Sequence, residues 1–420
     1  MIRVMELARK LLEFRRLLKP ARENVEALQQ LRERKLRALV RHVYATVPYY
    51  RSLFEETGVD PGSIRRIGDL ERIPITTKND LRRAGRSRTL AAGVDPESCL
   101  RFDTTGSTGE PFPVLVTRGE VRTRLLIELR GLYLNGLLRP RERRVVLGPE
   151  HSNPQPLYQR LGLFRRDHIS PWLPIDEQIA RLRALRPDVL WAYPTALRAV
   201  LERLGGRLST VCQPRALITS AEPAPDSLLR ALRADLDIEC FDFYAAMEAG
   251  RIGWECRAHA GLHLNADSVI LELVDAGDAL RTVVVTALDG RAMPFLRYRL
   301  DDLGGWAGRT CPCGLPFPLF EAPQGRVADL VRLPGGRTVP SWTFDQVFRP
   351  FDEIERFRVQ QESLHRMVVQ LALRRPLAPS ALDHLRARLR DLVGESVHVD
   401  LDIVDDLPRE PKSSVFASRL

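Results

Sequence analysis

Over the first 57 residues apolar positions recur at intervals of three and four, as in Leu11-Leu12-Glu13-Phe14 and Leu36-Arg37-Ala38-Leu39-Val40. That spacing places apolar side chains on one face of an α-helix. Pro48 and Gly58 punctuate the region. From about 120 to 325 the pattern changes, and helical segments alternate with short apolar runs. Val145-Val146-Leu147, Val189-Leu190-Trp191-Ala192 and Ala216-Leu217-Ile218-Thr219 are each bounded by polar or turn residues. Such runs suit strands buried on both faces, and helices between them predict an α/β sheet. Two strand-like segments, 269–274 and 281–286, flank Asp275-Ala276-Gly277-Asp278, which predicts a β-hairpin. After about 330 two alternating strands near 354–361 and 366–373, a helix over 379–393 and a strand over 396–404 predict a small α+β domain. The expected fold class is therefore α/β with a separate, smaller C-terminal α+β unit. The boundary falls near Asp329, giving a large domain over 1–328, its helical segment at about 1–57, and a small domain over 329–420.

The length of 420 residues agrees with two or three structural units. No stretch approaches the ~20 apolar residues of a spanning helix, so no membrane span is expected. The start, Met1-Ile2-Arg3-Val4-Met5-Glu6, lacks the apolar run of a signal peptide, and the expected location is the cytoplasm. The net charge of +10 is nearly all arginine, because Lys10, Lys19, Lys35, Lys78 and Lys412 are the only lysines. The basic residues are dispersed among acids and no nucleic-acid motif accompanies them, so no nucleic-acid partner is expected. Six cysteines in an intracellular chain of this length do not form a disulfide framework.

The most informative segment is Thr104-Thr105-Gly106-Ser107-Thr108-Gly109-Glu110-Pro111. Small, hydroxylated and glycine residues in a row let backbone N–H groups and hydroxyls converge on phosphate oxygens. No lysine follows the second glycine, so it is not a Walker A loop. The segment resembles the phosphate-binding signature of the adenylate-forming acyl-CoA synthetase superfamily. Val47-Pro48-Tyr49-Tyr50-Arg51 and Ile73-Pro74-Ile75-Thr76-Thr77-Lys78 resemble the phenylacetate–CoA ligase-like (CapK-like) branch of it. Further landmarks follow in the family's order. Ser220-Ala221-Glu222-Pro223 is similar to the adenine-side loop, and Asp242-Phe243-Tyr244-Ala245-Ala246-Met247-Glu248 to the Tyr-Gly-x-x-Glu motif. Residues 294–303 are similar to the Arg-Tyr-Arg-Thr-Gly-Asp motif, and Gly325-Arg326-Val327-Ala328-Asp329 to the hinge.

The resemblance implies a large AMP-binding domain of layered sheets and helices, a small mobile lid, and acid activation through an acyl-adenylate. It implies ATP and Mg²⁺ as requirements and a small carboxylic acid as substrate, aromatic or otherwise compact and apolar. Thr104, Thr105, Gly106, Ser107, Thr108 and Gly109 would hold phosphates, and Ala221, Glu222, Pro223 and Phe243 would border the adenine. Tyr244 would stack on the base, as a flat π-face can. Glu248 would hold Mg²⁺ against phosphate oxygens. Asp302 would accept from the ribose hydroxyls, although the adjacent Asp301 is a competing choice. Arg326 would contact the nucleotide, Asp329 would be the pivot, and Lys412 would neutralise charge developing at the α-phosphate. Tyr193, Pro194 and the strand end near Phe241 are candidate walls of the acid pocket, and His151 is another. A homodimer is compatible with the resemblance.

A second constellation consists of Cys256, His263, Cys311 and Cys313. Three thiolates and one imidazole make a closed tetrahedral Zn²⁺ set of the structural kind, with His259 as the alternative fourth ligand. Some phenylacetate–CoA ligase-like proteins carry this pattern with a structural zinc. The chain also departs from the family text. Ala245 stands in place of a glycine, Leu300-Asp301 in place of Thr-Gly, Glu110 in place of a lysine and Pro411 in place of the glycine before Lys412. The segment from Leu333 to Pro340 differs as well. Coenzyme A is the favoured acceptor, while an amine or a carrier-protein thiol stays open. A non-catalytic nucleotide-binding homologue is the remaining alternative.

Overall fold

The apolar stripe of the N-terminal segment folds into two helices whose ends are set by local chemistry. In the Val25–Thr46 helix, Asn24 caps the start by accepting from the Ala27 N–H at 2.8 Å. The Pro48–Thr57 helix opens on a proline and closes at Gly58, whose φ of 65° lies in the left-handed region glycine adopts without cost. Leu36, Leu39, Val40 and Val43 of the first helix and Tyr50 and Phe54 of the second form a shared buried face, packed with Ile270, Leu288 and Leu296. The structure, a computed structural model, describes residues 12–104, 112–148, 157–224, 226–277, 280–323, 325–326, 330–348, 350–407 and 416–418.

The chain divides into two compact units. The first runs to Val274 and resumes over Val283–Leu300 and Gly304–Ala322; the second takes Asp275–Thr282, Asp301–Leu303 and the chain from Pro323. In the first, β1 (Leu100–Thr104) and β2 (Phe112–Val116) pair antiparallel. The larger sheet contains β3 (Arg143–Leu147), β4 (Arg165–Ile169), β5 (Val189–Ala192), β6 (Ala216–Ser220), β7 (Glu239–Ala246), β8 (Gly250–Glu255) and β9 (Leu262–Leu264). The strands β10 (Val269–Gly277), β11 (Leu280–Ala287) and β12 (Tyr298–Leu303) form a three-stranded sheet, and β13 (Leu319–Phe320) joins the larger one. The larger sheet has the order β13-β9-β8-β7-β6-β5-β3-β4. Its β7-β6-β5-β3-β4 portion is parallel, and β8, β9 and β13 add antiparallel. The apolar runs expected at 145–147, 189–192 and 216–219 are the buried central strands β3, β5 and β6, as burial on both faces requires.

Arg130, on the Arg118–Leu134 helix, is fully buried in the first unit. It donates to both carboxylate oxygens of Asp267 at 2.6 and 2.7 Å, to Asn265 Oδ1 at 2.6 Å and to the Leu17 carbonyl at 2.9 Å. Its guanidinium lies 4.9 Å from the Phe317 ring centroid and 5.8 Å from that of Trp254. One side chain thus joins the 12–18 helix, the Arg118–Leu134 helix and the turn before β10.

In the second unit, β14 (Leu330–Arg332) and β15 (Thr338–Pro340) pair as a hairpin. Strands β16 (Ile354–Ser363), β17 (Arg366–Leu373), β18 (His398–Val404) and β19 (Phe416–Ser418) form a sheet of order β18-β17-β16-β19. The Pro379–Val393 helix buries Leu385, Leu389 and Val393 in the same core as Met367, Val369 and Leu371. Buried Gln361 exchanges hydrogen bonds with the backbone of Arg332, tying the hairpin to this sheet. No described helix is long and apolar enough to cross a membrane.

Arg130→Met leaves Asp267 buried without its countercharge. The expected cost is about 3–5 kcal/mol of unfolding free energy in urea titrations. The double variant Arg130→Met/Asp267→Leu should recover most of that loss.

Candidate functional site

In the parallel part of the sheet, β3 connects outward to β4 and the chain then returns past β3 to β5. The carboxyl ends of β3 and β5 therefore flank a topological switch point, where open α/β sheets leave a crevice for ligands. Gly148 ends β3 and Tyr193 ends β5. A Cβ at Gly148 would sit 3.0 Å from the Tyr193 ring, so the glycine permits this approach. Pro194 then opens the Pro194–Arg203 helix. The candidate wall residues Tyr193 and Pro194 are thus at the strand end. Phe241 is not: it is buried at mid-strand and stacks on His259 at 5.7 Å. His151 lies outside the described residues.

The next strand end carries Ser220-Ala221-Glu222-Pro223. Ala221 has φ 74°, a conformation that costs a residue with a Cβ about 1 kcal/mol or more. The loop is anchored on both sides. Ser220 Oγ accepts from Trp191 Nε1 at 2.6 Å, and the Glu222 carboxylate accepts from the Thr195 N–H at 3.1 Å and hydroxyl at 3.0 Å. Glu222 therefore caps the first turn of the Pro194–Arg203 helix, a job that the motif text did not suggest.

At the end of β7 the chain alternates. Phe243 is buried against Trp191 at 5.2 Å, so its ring belongs to the core and only its backbone borders the loop region. Tyr244 is half-buried, with its ring 5.8 Å from that of Phe320. Glu248 is 8% exposed and Oε1 accepts from the Tyr298 hydroxyl at 3.2 Å. Arg124, which sequence reasoning missed, donates to the Met247 carbonyl at 2.6 Å and the Glu248 carbonyl at 3.2 Å. The Tyr298 segment is itself paired with the 73–78 segment through the Thr76 N–H to the Arg297 carbonyl and the Arg299 N–H to the Thr76 carbonyl, both at 2.9 Å. Two motifs far apart in sequence thus meet beside Glu248.

The phosphate-loop candidate is bracketed by strands: Thr104 in β1 pairs with Phe112 in β2. Thr105, Gly106, Ser107, Thr108 and Gly109 lie outside the described residues, as do Asp329 and Lys412. In the second unit, Arg326 Nε donates to Asp302 Oδ1 at 3.1 Å, and the Leu303 N–H donates to the Gly325 carbonyl at 2.8 Å. Asp301, the competing ribose candidate, has φ 61°, and Asp302 is the one joined to Arg326.

The cysteine constellation is assembled in the first unit. The ligand atoms of Cys256, His263, Cys311 and Cys313 all lie within 4.8 Å of one another. Cys256 Sγ is 3.5 Å from Cys311 Sγ, and Cys313 Sγ is 3.2 Å from His263 Nε2. Around a tetrahedral zinc, bond lengths near 2.3 Å to sulfur and 2.0 Å to nitrogen put neighbouring ligands roughly 3.5–3.8 Å apart. His263 Nδ1 sits 3.3 Å from the Phe317 carbonyl, which directs Nε2 toward the thiols. Burial lowers the His263 pKa and favours the neutral ring. His259, the alternative ligand, instead pairs with Glu255 through Nδ1 at 2.9 Å, and that carboxylate raises its pKa.

No family model matches the chain. It is 24% identical over 426 residues to the phenylacetate–coenzyme A ligase of Escherichia coli K12, which covers 92% of this chain and 93% of the relative. It is 27% identical over 337 residues to the phenylacetate–coenzyme A ligase of Thermus thermophilus, covering 75% and 74%. A crystal structure of 2-hydroxyisobutyryl-CoA ligase in the postadenylation state superposes with a TM-score of 0.75 at 18% identity, over 92% of this chain and 88% of that one. The fold is that of the adenylate-forming acyl-CoA ligases. In sequence the chain is similar to phenylacetate–CoA ligases over most of its length.

Asp242, two residues before Tyr244 on β7, generates a pH dependence. Burial and the nearby Glu255 charge push its pKa up from 3.8 to about 7, although Thr219 Oγ1 donates to it at 3.1 Å. The folded chain therefore holds this proton more tightly than the unfolded chain. Stability from the group is present below about pH 4 and is lost as pH rises toward about 7. Asp242→Asn should remove this downward slope, gaining on wild type between pH 5 and 8 in urea titrations. Parallel stability–pH curves for the two proteins would contradict the assignment.

Proposed function

We propose that this protein activates a small carboxylic acid with MgATP and transfers the acyl group to coenzyme A. In the first step the acid's carboxylate oxygen attacks the α-phosphorus, and pyrophosphate leaves. In the second the thiol sulfur attacks the acyl carbonyl, and AMP leaves as the thiol proton is given up. The observation that carries this reading is the meeting of motifs at the carboxyl ends of β6 and β7. There the Ala221–Pro223 loop follows β6, and Tyr244 and Glu248 lie at and just past the end of its parallel neighbour β7, in a chain similar along nearly its whole length to phenylacetate–CoA ligases.

In this reading the 104–109 loop cradles phosphates, Ala221, Glu222 and Pro223 frame the adenine and Tyr244 supplies the stacking face. Glu248 binds Mg²⁺, which neutralises phosphate charge when bound. Arg124 and Tyr298 fix that carboxylate from the backbone and the side chain respectively. Asp302 accepts from the ribose hydroxyls and Arg326 orients it. Lys412 contributes a compact positive charge where negative charge builds at the α-phosphate. Tyr193 and Pro194, at the switch point, favour an aromatic or otherwise apolar acid. Cys256, His263, Cys311 and Cys313 hold a structural zinc, because four protein ligands leave no position for substrate.

Acid-dependent ATP–pyrophosphate exchange across aryl, short-chain and amino acids tests the first step, and added coenzyme A tests the second. Lys412→Ala and Glu248→Gln are each expected to slow product formation by at least about 100-fold. An unchanged rate in both variants rules out the enzymatic reading. Exchange without a thioester would transfer the second step to an amine or carrier-protein acceptor, which the Pro411 and 333–340 departures favour.

Metal analysis of purified protein should find one equivalent of zinc. Cys311→Ser and His263→Ala should lose it together with more than about 3 kcal/mol of stability. His259→Ala should keep the metal; zinc loss in that variant alone would reverse the assignment of the fourth ligand.

A further inference from the structure

The functional reading leaves unused a concentration of charge around Glu128, on the Arg118–Leu134 helix. This carboxylate is buried, and Oε2 accepts from Arg251 Nε at 3.1 Å and Nη2 at 2.8 Å. Oε1 lies 3.5 Å from Arg166 Nη1. A third guanidinium, that of Arg144, adds to the field that holds Glu128 down at about 2 despite its burial. Arg144 and Arg166 are register partners on β3 and β4 and so share a face of the sheet. Arg251 approaches from β8, lying 4.5 Å over the Trp191 ring.

Among the described residues three guanidinium groups thus surround one carboxylate, a local excess of two positive charges. The other acid that Arg144 senses, Glu142, is held by Arg215 at 2.5 Å and Arg139 at 3.3 Å. Asp167, between Arg166 and His168 on β4, faces away and pairs with Arg143 at 3.3 Å. The Tyr158 phenol is a weaker neighbour of Arg144. Arg144 itself is 6% exposed. Burial lowers its pKa only to about 10, so it is charged at neutral pH. Like charges gathered away from solvent are costly unless countercharges balance them. The fork geometry of guanidinium matches carboxylate and phosphate oxygens.

We propose that Arg144, Arg166 and Arg251, gathered around Glu128, form a binding site for a compact oxyanion, a carboxylate or a phosphate. The anion offsets the positive charge that Glu128 alone leaves unbalanced. It enters beside Arg166 and Arg251, whose side chains keep 24% and 20% of their exposure. Two sources carry this chemistry. One is a second carboxylate on the acid substrate, since Arg251 lies against Trp191 two residues before the candidate pocket wall Tyr193; this source rests on the proposed function. The other is free inorganic phosphate, which does not.

The test is thermal unfolding of the full chain with increasing sodium phosphate, ionic strength being held constant with sodium chloride. Wild type, Arg144→Met and Arg166→Gln are compared. Methionine keeps much of the arginine stem without the charge, and Arg166 is partly exposed, so both variants should fold. ATP–pyrophosphate exchange with a benzoic acid and its ring-dicarboxylate counterpart is run alongside. If phosphate is the ligand, saturating amounts raise the wild-type midpoint by about 2 °C and leave both variants unmoved. If the substrate is the source, the diacid is preferred by at least about 10-fold and the preference collapses in both variants. A wild type that responds to neither, or variants that respond like wild type, overturns the site. Absence of exchange with every acid removes the proposed activity instead, and the phosphate titration alone then decides.

Discussion

The first unit depends on the burial of one charge. Arg130 is surrounded by Trp254 and Phe317, and its two terminal nitrogens are held by Asp267, Asn265 and the Leu17 carbonyl, while Nε is left without an acceptor among the described residues. A guanidinium can be buried this way only if its partners are fixed, because each missing acceptor leaves a desolvated donor. The positions of the 12–18 helix, the Arg118–Leu134 helix and the turn into β10 are therefore set together. The consequence reaches the cysteine cluster. Trp254 also lies 5.4 Å from the His263 ring, and Phe317 gives its carbonyl to His263 Nδ1. The same two aromatic residues that enclose Arg130 thus orient the imidazole toward three thiols.

The Arg118–Leu134 helix shows how a single element serves several sites. Arg130 points into the core, Glu128 into the arginine cluster and Arg124 to the carbonyls of Met247 and Glu248. Its apolar stripe is weakly defined because buried charges occupy positions that leucines would otherwise fill. Rigidity of this kind suits the neighbouring strand-end loop, where Ala221 is held at φ 74°. Strain of this kind persists only where the surroundings over-determine it, and the Trp191–Ser220 and Thr195–Glu222 bonds do so on either side.

Much of this was legible in the sequence, and the exceptions have physical causes. Central parallel strands are buried on both faces, so β3, β5 and β6 appear as uninterrupted apolar runs. The edge strand β4 reads Arg165-Arg166-Asp167-His168-Ile169, and its polar side chains conceal it from any search for such runs. The hairpin of β14 and β15 was missed for a related reason: its strands are three residues each, too short to show a period. The motif text pointed to Glu248, Asp302 and Arg326, and the cysteine spacing to Cys256, His263, Cys311 and Cys313, whose ligand atoms the fold brings within 4.8 Å of one another. The spacing left His259 beside His263 as a candidate, and only the fold shows Glu255 pairing with His259. The motif text did not show that Phe243 turns inward or that Glu222 caps a helix. Those facts are set by strand alternation and by a partner in another segment.

The charge of the chain takes on a different meaning once its arginines are placed. A net +10 read from composition suggests a basic surface. Yet Arg130, Arg144 and Arg297 are withdrawn from solvent, and Arg297 is bound to Glu272 and to the carbonyls of Glu71 and Ile73. Arginine can do this where lysine cannot, since a planar fork satisfies several fixed carbonyls at once and is weakly hydrated. In a chain with only five lysines, guanidinium groups have become internal struts. Most find their acceptors within the fold. Around Glu128 the balance is incomplete: among the described residues one carboxylate faces Arg144, Arg166 and Arg251.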